Sequence, residues 1–84
     1  MLEVLVGKVT HYFVRIGVVV VKLFAPLSQG DTVHFRGKST DFTQTLESMQ
    51  IEPQPVREAK PGDEVAVKVS NRVCEGDEVY KVTP

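Results

Sequence analysis

Apolar residues in this chain fall in short runs, often at alternate positions, and no segment carries an apolar stripe at helical spacing. Gly, Pro and Asp punctuate the runs. That pattern predicts short strands joined by turns. A first strand is expected over residues 3–13. Val4 and Val6 share one parity there, Val9 and Phe13 the other, so the inward face changes near Gly7 and Lys8, as a bulge would cause. A second strand is expected over 15–24, where Gly17-Val18-Val19-Val20-Val21 does not alternate and both faces are apolar. A third, 32–36, alternates cleanly, with Val33 and Phe35 on one side and Thr32, His34 and Arg36 on the other. The fourth spans 42–52, with Leu46, Met49 and Ile51 as core candidates and a parity slip between Leu46 and Met49. The fifth, 64–70, alternates through Val65, Val67 and Val69, and the last covers 78–83. Residues 52–60 hold two prolines and read as a loop.

The turns repeat. Gln29-Gly30-Asp31-Thr32-Val33, Pro61-Gly62-Asp63-Glu64-Val65 and Glu75-Gly76-Asp77-Glu78-Val79 share Gly-Asp, one residue, then Val. Glycine reaches positive φ without steric cost, and Asp bonds its own backbone across a turn. Strands introduced in this way predict an all-β fold, a small closed β-barrel of about six or seven strands. With 84 residues, the whole of 1–84 forms a single domain.

Composition narrows the functional classes. Ten Lys and Arg against eleven Asp and Glu give a net charge of −1, which weakens the case for a dedicated nucleic-acid coat protein. One cysteine, Cys74, excludes an internal disulfide, and the start Met1-Leu2-Glu3 has no basic leader character. The longest apolar run, 16–21, is too short to cross a bilayer, so a cytoplasmic setting with no membrane contact is expected.

The search for catalytic chemistry yields little. Gly37-Lys38-Ser39 imitates the end of a phosphate-binding loop, but Thr32 stands where that motif needs its first Gly, and the segment lies between strands. It reads as a hairpin loop. His11, His34 and Cys74 lack the close spacing of metal ligands, so no metal and no cofactor is expected. Asp31, Asp63 and Asp77 are explained by their turns rather than by acid–base work. No catalytic residue is assigned. Two surfaces remain as binding candidates. One is basic: Arg36 and Lys38 flank a loop, with Lys8, Arg15 and Arg72 as further members. The other is apolar: Val18, Val19, Val20 and Val21 offer a second face that a barrel interior does not need. That face must be covered by a loop such as 54–60, by a second copy, or by a partner.

The segments Val6-Gly7-Lys8-Val9, Leu27 to Val33, Leu46-Glu47-Ser48-Met49-Gln50, Ala59 to Val65 and Gly76-Asp77-Glu78-Val79 together resemble the second domain of translational GTPases such as elongation factor Tu. From Gly30 to Val79 the chain is similar also to the small C-terminal barrel of collagenase-like peptidases. The first resemblance implies contact with RNA or the ribosome, with the loop of Arg36 and Lys38 facing RNA. In elongation factor Tu a Glu and a His near the aminoacyl ester follow the fourth strand, and Gln50 and Glu52 align with them. The nucleotide domain is absent, so nucleotide hydrolysis is not implied. The expected function is therefore a non-catalytic module contacting RNA or a ribonucleoprotein. The alternative is a protein-interacting or self-associating accessory barrel of a larger enzyme.

Overall fold

The computed structural model describes residues 2–52 and 54–83. These form ten strands and no helix: β1 (Leu2–Phe13), β2 (Val18–Leu23), β3 (Leu27–Ser28), β4 (Thr32–Arg36), β5 (Asp41–Thr45), β6 (Met49–Ile51), β7 (Gln54–Val56), β8 (Glu58–Ala59), β9 (Glu64–Lys68) and β10 (Glu78–Thr83). Eight of them make one antiparallel sheet in the order β5-β4-β10-β1-β2-β9-β6-β7, while β3 and β8 pair separately.

The all-β expectation holds, and β4 and β10 match the expected spans. Three departures have simple causes. The expected fourth strand divides into β5 and β6, because the parity slip after Leu46 is a break in the ladder rather than a bulge. The expected loop 52–60 supplies β7 and β8, which are too short to show any periodicity. The expected second strand begins later, because 14–17 form a turn.

β1 is the spine. It pairs with β10 on one side and β2 on the other, and its register shifts between Leu5 and Gly7 against β10 and between Val9 and His11 against β2. The first shift sits beside the bulge that the parity change predicts. Gly7 is required there by close approach: a Cβ would lie 2.7 Å from the Lys22 carbonyl oxygen and from a Val21 methyl. Such shifts bend and coil the strand, so that a single sheet wraps around one core. Val6, Val9, Val19, Val21, Leu23, Val33, Phe35, Leu46, Val65, Val67 and Val79 belong to that core. Each such side chain contributes about 1.5–3 kcal/mol on burial. Phe35 stacks on Phe42 at 5.1 Å between centroids.

No ladder joins the outer strands β5 and β7 to each other among the described residues, so hydrogen bonding does not close the expected barrel. One side chain spans the seam beside β5. The Gln44 amide donates to the Lys68 carbonyl oxygen (2.8 Å), and its oxygen accepts from the Ser70 N–H (3.0 Å). A primary amide carries the same donor and acceptor as a peptide group, so it stands in for a strand at this point.

The three Gly-Asp turns are near copies. Gly30, Gly62 and Gly76 have φ of 93°, 94° and 91°. Asp31, Asp63 and Asp77 each donate a backbone N–H to the carbonyl three residues earlier, at 3.1 Å. Each accepts at Oδ2 the N–H of that same residue, Ser28, Lys60 or Cys74, at 2.9, 2.9 and 2.8 Å. The glycine N–H groups then bond the carbonyls of Leu46, Leu23 and Val9, whose own N–H groups bond the aspartate carbonyls. Each turn is thereby fastened to a core residue of another segment.

Candidate functional site

The most chemically varied concavity is a cleft of about 510 Å³ where the β4–β5 loop meets the turn before β10. Register builds it. Lys8 on β1 lies opposite Glu78 on β10, and Glu78 lies opposite Arg36 on β4. The chain then turns through Gly37, Lys38 and Ser39, whose backbone is pinned by the Gly37 N–H donating to the Thr40 carbonyl (2.8 Å). Glu75, Gly76 and Asp77 form the opposite wall. Gly37 lies so close to Asp77 that a side chain would collide with its carboxylate.

Three of the basic candidates named from sequence, Lys8, Arg36 and Lys38, thus line one cleft. Arg15 lies in the turn after β1 and Arg72 in the segment before β10, and neither lines it. Gln50 sits on β6, bonds Glu52 at 3.2 Å and is also outside it. The arginine is oriented: its guanidinium lies 5.5 Å from the centroid of the Tyr80 ring. The acids beside these cations have other partners. The Tyr80 hydroxyl donates to Glu78 (2.9 Å), a bond that raises the phenol's pKa above its ordinary value. Asp77 is buried and holds the Cys74 N–H, and Glu75 lies 3.7 Å from His11. Cys74 is half-buried, with its Sγ 3.8 Å from the Ser39 hydroxyl.

A second polar cluster lies on the outside of the sheet. His34 Nδ1–H donates to Glu3 (2.9 Å) and Nε2–H to Asp41 (2.5 Å). Two carboxylates facing the two nitrogens favour the protonated ring. The Asp41 hydrogen bond is the largest cause of its raised pKa, followed among the raising causes by Glu3, while burial opposes the shift. Both ring nitrogens are engaged by carboxylates. No group of His, Cys, Asp and Glu among the described residues is arranged to hold a metal ion. No helix is long and apolar enough to cross a membrane.

The valine strand has one core face and one half-covered face. Val19 and Val21 are fully buried in the chain's own core, and Val18 and Val20 are half-buried on the other face. In register, Val18 lies between Phe13 and Lys68, and Val20 between His11 and Ala66. Residues 54–60 do not provide that cover in the ladder: they pair with β6 and β3 instead. More exposed apolar side chains lie at the start of β1 (Leu2, Val4, Leu5), at Phe24 after β2, and at the tip joining β1 to β2. Phe13, Val14 and Ile16 are 50%, 69% and 62% exposed at the tip joining β1 to β2. Sequence reasoning missed this tip because it placed Arg15 and Ile16 in the second strand, whereas 14–17 form a turn. The signal was the isolated Gly17, which adopts φ 64° and ends the turn.

Known proteins bear on this geometry. No protein-family model matches the chain. It is 37% identical over 76 residues to an uncharacterized protease of Methanocaldococcus jannaschii, a match covering 89% of this chain and 19% of that protein. The chain therefore spans about a fifth of the length of this curated relative. Its fold is similar to the solved C-terminal domain of a Geobacillus thermoleovorans protein described as a U32 peptidase. That match has a TM-score of 0.89 at 26% identity and covers 94% of this chain and 92% of the other. The selenomethionine form of that domain matches with a TM-score of 0.85 at 25% identity, covering 90% and 96%. Of the two resemblances drawn from the sequence, these comparisons support the one to the peptidase barrel. They give no support to a translation factor or to RNA.

Proposed function

We propose that this chain is a non-catalytic accessory module of a peptidase-type protein or assembly, built as a small barrel whose seam is bridged by Gln44. One observation carries the reading. The chain matches, nearly end to end on both sides, a domain that forms only the C-terminal part of a protein described as a peptidase. The small share of the Methanocaldococcus protease that it covers agrees. The polar clusters support a non-catalytic role, since His34 has both nitrogens engaged and Asp77 holds a turn. The docking element is the apolar tip of Phe13, Val14 and Ile16, because three exposed apolar side chains stand together there on one turn. Its occupant is the remainder of a peptidase chain.

Sedimentation tests this directly. The purified chain is mixed with the Methanocaldococcus protease from which the matching segment has been deleted. Formation of a stoichiometric complex, lost with Val14→Ser plus Ile16→Ser, is the expected result. A chain that binds nothing, self-associates through the tip, or cleaves labelled casein on its own would overturn the reading.

A further inference from the structure

The cations of the cleft between the β4–β5 loop and the turn before β10 stand beside acids without forming ion pairs with them. Lys8, Arg36 and Lys38 form no ion pair among the described residues, although three carboxylates line the same cleft. Two of those carboxylates hydrogen-bond other groups, Asp77 accepting from the Cys74 N–H and Glu78 from the Tyr80 hydroxyl, while Glu75 lies exposed, 3.7 Å from His11. Arg36 is also held in place, its guanidinium packed on the Tyr80 face, while its N–H groups carry no hydrogen bond to the described protein. A fixed guanidinium with free donors is a fork for a planar anion.

We infer that this cleft binds a single carboxylate side chain, a Glu or Asp of a polypeptide. Charge selects against larger anions. Glu78, which lies between Lys8 and Arg36 in register, and the exposed Glu75 repel a polyanion but tolerate one negative charge seated against Arg36 and Lys38. The ring that an RNA base would need for stacking is Tyr80, and Arg36 already covers it. The choice of a polypeptide over a small free acid rests on the accessory-module reading, in which the surroundings of this chain are a peptidase and its polypeptide substrates.

The test is an amide chemical-shift titration of the isotope-labelled chain. Three probes are compared: a capped Gly-Glu-Gly peptide, its Gly-Gln-Gly counterpart and a single-stranded RNA octamer. The glutamate peptide is expected to shift the amides of Gly37, Ser39 and Gly76 saturably. The glutamine peptide should bind at least tenfold more weakly. Arg36→Gln plus Lys38→Gln should weaken the glutamate peptide at least tenfold while the remaining spectrum stays folded. Equal binding of the two peptides, no saturable shifts, or preference for RNA would overturn the assignment, as would an unaffected double variant. The tip variant, Val14→Ser plus Ile16→Ser, should keep this site intact, so its loss of docking and the loss of peptide binding are read independently.

Discussion

At residues 28–31, 60–63 and 74–77 the chain reverses through turns whose glycine N–H, aspartate N–H and carboxylate all bond inside the molecule. At 13–17 it reverses just as firmly. The Gly17 N–H bonds the Phe13 carbonyl at 2.9 Å, and the Val69 N–H bonds the Gly17 carbonyl at 2.9 Å. Yet Phe13, Val14 and Ile16 there face solvent. The two kinds of reversal do the same geometric work, so folding does not require apolar side chains at the tip. Their presence is the feature on which the proposed docking role rests.

The comparison can be broken most forcefully at the third turn, where Asp77 is buried and the other two aspartates are half-buried. Asp77→Ala leaves the Cys74 N–H without its acceptor. It should lower stability by about 1.5–3 kcal/mol, more than Asp31→Ala or Asp63→Ala, in urea-unfolding midpoints. Gly37→Ala should cost about 1–3 kcal/mol by driving a methyl into the same carboxylate, and Gly37→Ala combined with Asp77→Ala should cost less than the sum of the two single changes. Gln44→Ala removes the amide that bridges the seam. A loss of about 1–2 kcal/mol is expected, with faster amide exchange at Ser70.

The His34 cluster gives a smaller, pH-dependent effect. Its pKa is raised in the folded state, so its stabilisation is fully present below the ordinary histidine value of about 6.5 and fades as pH rises through the higher folded value. Thermal midpoints should decline over that window, and His34→Gln should flatten the decline. The smallest effect belongs to the tip: Val14→Ser plus Ile16→Ser should change unfolding stability by no more than about 0.5 kcal/mol per site. A large loss would mean that the tip packs after all, and the contrast with the Gly-Asp turns would fail.

How much was legible follows from how far each signal travels along the chain. The three turns could be read because Gly, Asp and Val occupy fixed offsets within five residues. β4 and β10 could be read for the same reason, since each follows such a turn. β7 and β8 could not, because two or three residues show no period and their pairing with β6 and β3 depends on distant segments. The cleft was half legible. Arg36 and Lys38 are neighbours in sequence, whereas Lys8 reaches them only through Glu78, across two antiparallel registers. That Glu78 is diverted to Tyr80, leaving those cations unpaired, is a matter of side-chain placement that no spacing encodes. The valine strand was legible as a two-faced strand but not as to which face is which: Val19 and Val21 enter the core, and Val18 and Val20 lie half-covered among their own cross-strand neighbours.

The pairing of Leu2 with Thr83 has a consequence for how such a unit is carried. The first and last strands run side by side in opposite directions, so the polypeptide enters and leaves at one point on the surface. A longer protein can therefore hold this unit on a single stalk, at either end or within a loop, without stretching its own framework. Moving it between hosts, or joining its ends and reopening it at the tip, alters connectivity while leaving the packed interior untouched.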